Sequence, residues 1–214
     1  MSLKYGIYGT ESHLSASYRW QRGTGVAMGY SEQRLDSLVA RLRQGNRAAA
    51  AELVDIFYKQ IYVFFRRLGH SEQVSEDLTQ ESFMAAWQHI GQLRSGKALN
   101  GWMYRIASNA SKLYWRKHKN DAPVSIEQLP LLEDPAGNDQ EKNSDSDLLA
   151  RLAGAVANLP TKLRQAVILH YLQHLSIADA ALVAGIRQGT LKSRLNRALK
   201  SLKNKIISKG QDQL

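Results

Sequence analysis

Residues 176–204 read SIADAALVAGIRQGTLKSRLNRALKSLKN, and this stretch carries the clearest fold signal in the chain. Ser176 stands where it can cap a short helix, and Ala181 is small enough for a second helix to cross closely over the first. Gly185 allows a left-handed turn, and Ile186 can fill the space beneath that turn. The pattern therefore predicts a helix-turn-helix in the C-terminal part of the chain.

The second helix of this unit, from about Gln188, has an apolar stripe and a polar face. The stripe consists of Leu191, Leu195, Ala198, Leu202 and Ile206. From residue 187 to residue 209 the sequence has eight basic residues and no acidic one. A solvated amphipathic helix could look similar, but the turn and the one-sided charge together favour DNA binding. The predicted DNA-contacting residues are Arg187, Gln188, Gly189, Thr190, Lys192, Ser193, Arg194, Asn196, Arg197 and Lys200.

The composition supports a polyanionic partner. The formal net charge is +10 over 214 residues, and basic surfaces gain affinity by displacing counterions from phosphate. The chain has no cysteine, which removes disulfides and thiolate metal sites, and no apolar run long enough to span a bilayer. We expect a soluble cytoplasmic protein without cofactor, metal site or membrane insertion.

Helical periodicity begins at Ser31. In residues 46–70 the apolar positions Ala50, Leu53, Phe57, Ile61, Phe64 and Leu68 recur every three or four residues. Gly69 is the predicted stop of that helix. Ser75 is a candidate cap for the next helix, with Gly91 after its end, and a third helix is predicted from about Lys97 to Lys119.

The composition changes abruptly after the third helix. Residues 121–147 contain three of the four prolines and eight acidic residues, with Lys142 as the one basic residue. Such a stretch is typical of a linker. We predict an all-α fold of two small helical domains joined by a flexible acidic linker. The boundaries are 1–30 for a flexible extension, 31–120 for the first domain, 121–147 for the linker and 148–209 for the helix-turn-helix domain.

The helix containing DLTQESFMAAW has two faces with different character. Its predicted core residues are Leu78, Ala86, Trp87 and Ile90. The other stripe combines acids and amides around a methionine: Asp77, Gln80, Glu81, Met84 and Gln88. In a chain this basic, such a stripe is a candidate docking surface for a positively charged protein, although a solvated helix face is the simpler alternative.

The helix ALNGWMYRIASNASKLYWRKHK (residues 98–119) combines aromatic and basic side chains. Its predicted buried stripe is Leu99, Trp102, Ile106, Ala110 and Leu113, and its predicted exposed side is Tyr104, Ser108, Ser111 and Trp115, flanked by Arg105, Lys112 and Arg116. Exposed rings interleaved with cations suit single-stranded DNA, because rings stack on unpaired bases while cations hold the backbone. The alternative is that Trp115 packs against another helix of its own domain.

These segments together resemble the extracytoplasmic-function (ECF) sigma factors of the sigma-70 family. The likeness covers about residues 33–207 and depends on DLTQE (77–81) with Phe83 and Trp87, and on GTLKSRL (189–195). The resemblance implies an initiation factor that binds core RNA polymerase, recognises promoter DNA and promotes strand opening. It also implies an anti-sigma partner and no enzymatic activity.

The resemblance implies roles for individual residues. Asp77, Gln80, Glu81 and Met84 match the polymerase-docking positions. Residues 188–200 match the reader of the minus-thirty-five element. The residues implied to hold the minus-ten strand are Lys97, Asn100, Trp102, Tyr104, Arg105, Lys112, Trp115 and Arg116. Three residues depart from the family pattern: Arg187, Leu113 and Ser108.

Two other readings remain open on the sequence. A helix-turn-helix regulator that binds an operator without melting it would explain the C-terminal half, but not the acidic stripe or the aromatic helix. An enzyme or metal protein would need more than His170 and His174, which stand four residues apart without an acid or cysteine to complete a site.

Overall fold

The computed structural model describes the backbone of residues 30–118 and 145–211, and the side chains of residues 30–118 and 151–205. Every regular element within these ranges is helical, so the predicted all-α class is confirmed there. Residues 1–29 of the predicted extension and residues 121–144 of the predicted linker lie outside the described residues.

The N-terminal domain contains the helices α1 (Glu32–Arg43), α2 (Arg47–Leu68), α3 (Glu72–His89) and α4 (Leu99–Lys117), with 3-10 turns at Ile90–Gln92 and Gly96–Ala98. The C-terminal domain contains α5 (Asp145–Ala157), α6 (Thr161–Val167), a π-helical turn (Ile168–Leu172), α7 (Ile177–Ala184) and α8 (Gln188–Gln211). Helix α5 therefore begins before the predicted end of the linker at residue 147.

The N-terminal helices begin and end at side-chain caps and a glycine. Asn46 caps α2, and Gly69 ends it in the left-handed conformation at φ 98°, as predicted. Ser75 was predicted to cap α3, and this is wrong. Ser71 caps the helix instead, because its Oγ accepts the amide of Val74 at 3.3 Å, so the helix begins one turn earlier and Ser75 is buried.

The buried apolar residues of the two domains form one continuous cluster rather than two separate cores. In the N-terminal domain, α2 supplies most of the large side chains: Phe57, Ile61, Phe64, Phe65 and Leu68. Helix α4 packs against α2 and α3 on one side and against α7 on the other. Because α4 is enclosed from two directions, the position of the C-terminal domain decides which of its residues reach solvent.

Arg164 forms hydrogen bonds to helix ends in both domains. The Arg164 side chain, in the middle of α6, donates from Nη2 to the carbonyl of Leu68 at 2.9 Å and from Nη1 to the carbonyl of Ala157 at 3.0 Å. These carbonyls belong to the last turns of α2 and α5, where helices leave carbonyl groups without intrahelical partners. Burial lowers the pKa of Arg164. Arg164 therefore supplies a hydrogen-bond donor to a carbonyl at one helix end in each domain.

His70 lies beside this joint and is almost completely buried. Its Nε2 lies 2.7 Å from the Ser111 hydroxyl, and its ring stacks on Trp115 with the ring centres 4.7 Å apart. Burial, helped by the nearby charge of Arg164, lowers the pKa of His70 to about 4. The imidazole is therefore neutral in the folded protein near pH 7.

We predict that replacing Gly96 with alanine destabilises the fold. A Cβ at this position would lie 2.4 Å from the carbonyl carbon and 2.6 Å from the Cβ of Leu35 in α1. Backbone cannot move aside as a side chain can, so the cost should be about 1–3 kcal/mol in the free energy of unfolding. Urea denaturation measures it. Gly91→Ala is the control, because nothing lies within 4 Å of a Cβ there; equal losses in the two variants would contradict the packing account.

We also predict an acid-dependent loss of stability through His70. The folded pKa of about 4 is below the unfolded value of 6.5, so the unfolded chain binds more protons between these values. Stability should therefore fall as pH drops through this window, by roughly 2–3 kcal/mol at pH 4 relative to pH 7. Urea denaturation of wild type and His70→Gln across this range isolates the effect. Parallel pH profiles for the two proteins would rule out His70 as the cause.

Candidate nucleic-acid and protein interfaces

The helix-turn-helix forms as its sequence predicts. Ser176 caps α7, accepting the amide of Asp179 at 3.0 Å, and Ala181 is buried where α7 and α8 meet. Gly185 adopts φ 70°, and its amide closes the end of α7 on the carbonyls of Ala181 and Leu182. Ile186 packs against the core beneath the turn. These contacts fix the direction in which α8 leaves the turn.

The polar face of α8 is open to solvent. The apolar residues Leu191, Leu195, Ala198 and Leu202 are buried, as predicted, while the side chain of Ile206 lies outside the described set. Of the ten residues predicted to contact DNA, nine are exposed and Arg194 is half-buried. The Ser193 hydroxyl donates to the carbonyl of Gly189 at 3.0 Å. The small and polar side chains at the start of this face can contact base edges, while the cations around them contact phosphates.

The acid and amide stripe on α3 is exposed as predicted. Asp77, Gln80, Glu81, Met84 and Gln88 all reach solvent, and Met84 is 63% exposed. In the part of the chain that the structure describes, the carboxylates of Asp77 and Glu81 form no ion pair.

One residue of the predicted α3 core lies at the surface. Leu78, Ala86 and Ile90 are buried, but Trp87 is 41% exposed, so the prediction that Trp87 enters the core is wrong. Trp87 instead extends the exposed surface that includes Met84. An exposed tryptophan beside a methionine and two unpaired acids is typical of a protein-docking surface.

The predicted division of α4 into a buried and an exposed face is wrong in several places. Leu113 is 43% exposed rather than buried, and Trp102, Ile106 and Ala110 are only partly buried. The side predicted to be exposed contains three fully or nearly fully buried residues, Tyr104, Ser108 and Ser111. The physical reason is that α4 packs against the C-terminal domain as well as its own. Tyr104 and Ser108 form hydrogen bonds with the C-terminal domain, and Ser111 lies against His70 of its own domain.

Two predicted minus-ten residues are inaccessible in this arrangement. Tyr104 is completely buried and donates its hydroxyl to Oε1 of Gln173; burial raises its pKa. Asn100 is 3% exposed, and neither polar atom of its amide has a partner among the described residues. The predicted residues that remain at the surface are Lys97, Arg105, Lys112 and Arg116, with Trp102 and Trp115 partly exposed.

Trp115 packs within its own domain, as the alternative reading held. It stacks on His70 and meets the edge of Tyr114 at a centroid distance of 5.4 Å. Part of the ring remains accessible.

Lys112 connects the aromatic helix to the helix-turn-helix. Its Nζ donates to the carbonyl of Ala184 at 3.0 Å, at the last residue of α7. Burial lowers the pKa of Lys112, and the charges of Arg105 and Arg194 lower it further. Cations from α4 and α8 therefore lie close enough to repel one another.

Sequence patterns did not identify three residues that form contacts between the domains: Arg164, Gln165 and Gln173. The Gln165 amide donates to the Ser108 hydroxyl at 3.1 Å, beside the Arg164 and Gln173 contacts. A buried polar residue has the same sequence pattern as a solvated one, so pattern analysis could not separate them.

The two histidines that could have suggested a metal do not share a helix face. His170 Nδ1 lies 2.8 Å from the carbonyl of Leu175, and His174 follows the π-helical turn at φ 51°. Among the described residues, no group of three metal-binding side chains converges. No helix in the described part of the chain has both the length and the apolar character of a membrane span.

Comparison with known families matches both domains. Residues 53–120 match the family model described as Sigma-70 region 2, and residues 149–202 match Sigma-70, region 4. ECF RNA polymerase sigma factor SigM of Bacillus subtilis (strain 168) is 30% identical over 71% of this chain and 91% of that protein. The ECF RNA polymerase sigma-E factor of Haemophilus influenzae is 30% identical over 82% of this chain and 97% of that protein.

Solved structures agree with the fold. CnrH, in complex with the cytosolic domain of CnrY, aligns with a TM-score of 0.59 at 22% identity, over 81% of this chain and 98% of that one. The sigma factor RpoE of Bartonella quintana, in complex with the anti-sigma factor NepR, aligns with a TM-score of 0.50 at 25% identity, over 81% and 94%. From both family models and from relatives matched over nearly their full length, the chain belongs to the ECF sigma factors of the sigma-70 family.

Proposed function

We propose that this chain acts as an alternative sigma factor: it binds core RNA polymerase, recognises promoter DNA and promotes strand opening, without catalysing a reaction itself. The observation that carries the proposal is the pairing, in one chain, of an acid-free basic α8 face with an exposed acidic α3 stripe. The α8 face is suited to binding phosphates and base edges, and the α3 stripe is suited to binding a basic protein. The compartment that this role requires is the cytoplasm.

The polymerase-docking surface that we propose is centred on Asp77, Gln80, Glu81 and Met84. The carboxylates are exposed, and neither is paired within the described ranges, so a basic partner would not first have to break an internal contact. Met84 and Trp87 supply apolar area at the same surface. The acids would orient the basic partner and speed its association, while the apolar side chains would supply the area buried on binding.

The minus-ten surface that we propose lies on α4 and the turn before it. Lys97, Arg105, Lys112 and Arg116 supply cations, and the partly exposed rings of Trp102 and Trp115 supply stacking area. Asn100 and Tyr104 belong to the same helix but are buried, and Tyr104 would have to leave its hydrogen bond with Gln173 of the C-terminal domain before it could touch DNA.

The minus-thirty-five surface that we propose extends from Arg187, just before α8, to Lys200 within it. Gly189, Thr190 and Ser193 leave room for base edges, and the flanking cations stand where phosphates pass a recognition helix. The residues of this surface are Arg187, Gln188, Gly189, Thr190, Lys192, Ser193, Arg194, Asn196, Arg197 and Lys200.

An anti-sigma protein is the regulatory partner that we propose. The solved RpoE structure of Bartonella quintana contains such a partner. The rival function, an operator-binding regulator that does not melt DNA, explains α8 but leaves the α3 stripe without a purpose. Footprinting separates the two, because a regulator protects duplex DNA alone whereas a sigma factor gives strand opening only with core polymerase.

The decisive experiment is run-off transcription with purified core polymerase over a promoter library. We expect wild type to direct specific starts, and Asp77→Ala combined with Gln80→Ala to weaken core binding about tenfold by removing docking contacts. Duplex minus-thirty-five binding by the same variant should be unchanged.

Glu72→Ala is the matched control for that variant. Glu72 is an exposed acid on α3 that lies on the other side of the helix at 100° per residue, so its loss should leave core affinity unchanged. Absence of specific starts with wild type would contradict the proposed function, and equal weakening by the control would contradict the docking surface.

We predict that Arg197→Ala weakens binding to minus-thirty-five DNA. A side chain that reads a base contributes roughly 1–3 kcal/mol and its loss relaxes sequence preference at one position; a phosphate contact contributes less and does not alter preference. Fluorescence anisotropy on DNA duplexes varied one base pair at a time measures both. Lys203→Ala, an exposed cation further along α8, is the control. An Arg197 variant that binds every duplex as wild type does would remove this residue from the surface.

A further inference from the structure

The turn that leads from α3 into α4 has three buried residues spaced three apart. Leu93 and Leu99 are 2% and 0% exposed, and Gly96 between them is buried as well. A spacing of three is that of a 3-10 helix, which residues 96–98 form. The residues between these three points lie wholly or partly at the surface: Arg94, Ser95, Lys97 and Ala98.

The middle of these three points has no side chain that could hold it. Gly96 lies with its backbone directly on α1, because a Cβ there would be 2.5 Å from the amide nitrogen of Asp36. Apolar packing therefore cannot fix this position as it does at Leu93 and Leu99. The Asp36 carboxylate holds it instead, since its Oδ1 accepts the Gly96 amide at 2.6 Å. The charge of the acceptor makes this a strong hydrogen bond.

The Asp36 carboxylate contributes nothing visible to its own helix. Among the described residues it forms no ion pair and no hydrogen bond besides the one to Gly96. Helix α1 is capped by Ser31, and its buried face consists of Leu35, Leu38, Val39 and Leu42. Neither the cap nor that face depends on Asp36. The carboxylate therefore serves the turn rather than α1.

The turn presents two cations, one on each side of Gly96. Arg94 and Lys97 are exposed, and within the described ranges neither side chain forms an ion pair. A loop binds a flexible strand more tightly when its backbone already has the bound shape, because a loose loop loses conformational freedom on binding. Since Gly96 lies between Arg94 and Lys97, the position of its backbone decides where both side chains can reach.

We propose that Asp36 is a positioning residue for promoter opening: by holding the Gly96 amide, its carboxylate keeps the turn in the shape that lets Arg94 and Lys97 bind phosphates of the unpaired minus-ten strand. The proposal rests on the proposed role of this turn and α4 in holding that strand. Asp36 does not itself bind DNA. Its negative charge repels phosphate, so any benefit to DNA binding comes through the turn.

The sign of one substitution separates positioning from simple electrostatics. Removal of an acid strengthens DNA binding if charge alone matters, because fewer negative charges then oppose phosphate. We expect the opposite: with core polymerase, Asp36→Ala should bind a template with an unpaired minus-ten strand about tenfold more weakly than wild type. Asp36→Asn keeps an oxygen that can accept the Gly96 amide and should recover most of this loss. Glu32→Gln, which removes an exposed acid at the start of α1, is the control and should bind at least as tightly as wild type.

A double-mutant cycle with Lys97 tests whether Asp36 acts through the turn. We expect Lys97→Ala to weaken binding of the same template severalfold in the wild-type background, and much less once Asp36→Ala has released the turn. Independent effects would multiply instead. Multiplying effects, or binding by Asp36→Ala that is as tight as that of wild type, would overturn the inference. Binding of duplex minus-thirty-five DNA, which uses α8, should be the same in all of these variants.

Hydrogen exchange of the Gly96 amide, followed by NMR in the free protein, supplies a second measurement that does not depend on DNA. We expect exchange at least tenfold faster in Asp36→Ala than in wild type, and no change in Glu32→Gln. Equal exchange in wild type and Asp36→Ala would show that the carboxylate does not hold the turn. The template for the binding measurements carries a promoter from which wild type directs specific starts. If wild type directs none, the proposed function fails before Asp36 is varied, and the inference fails with it.

Discussion

The relation between the two domains depends on one guanidinium group that two helix ends share. The carbonyls of Leu68 and Ala157 each need a donor, and Arg164 supplies both from a nearly buried position. A hydrogen bond to a charged group contributes about 1.5–3 kcal/mol, while removing a charge from water costs several kcal/mol. Because these magnitudes are similar, the contact fixes the geometry of the joint more than it stabilises the protein.

Because the hydrogen bonds of Arg164 and the cost of burying its charge nearly cancel, the groups around Arg164 affect the contact between the domains. Gly69 ends α2 in a left-handed turn beside the guanidinium, and a Cβ there would lie 3.2 Å from Arg164 Nη2. His70 follows at once and remains neutral, so it adds no second positive charge next to Arg164. A second buried arginine, Arg66, donates to the carbonyl of His70 at 2.9 Å. The acidic stripe of α3 takes no part in these contacts.

Sequence patterns predicted the elements that depend on local chemistry. The helix-turn-helix followed from a capping serine, a glycine with positive φ and an apolar stripe, all of which act within a few residues. The faces of α4 could not be predicted in this way. Tyr104, Ser108 and Ser111 look solvent-facing from the sequence pattern of α4 alone. Partners distant in sequence bury them, some in the same domain and some in the C-terminal domain. Periodicity shows that a helix has two faces but not how many neighbours will cover them.

The turn before α4 has a consequence for how this protein could be re-engineered. Gly96 lies with its backbone directly against α1, and its amide donates to the Asp36 carboxylate at 2.6 Å. The main chain of Gly96 thus holds the turn in place. The neighbouring Lys97 side chain takes no part in these contacts and is exposed. A library that varies exposed side chains around a retained Gly96 and Asp36 would present different chemistry on an unchanged backbone. Promoter preference could then be redesigned by side-chain exchange alone.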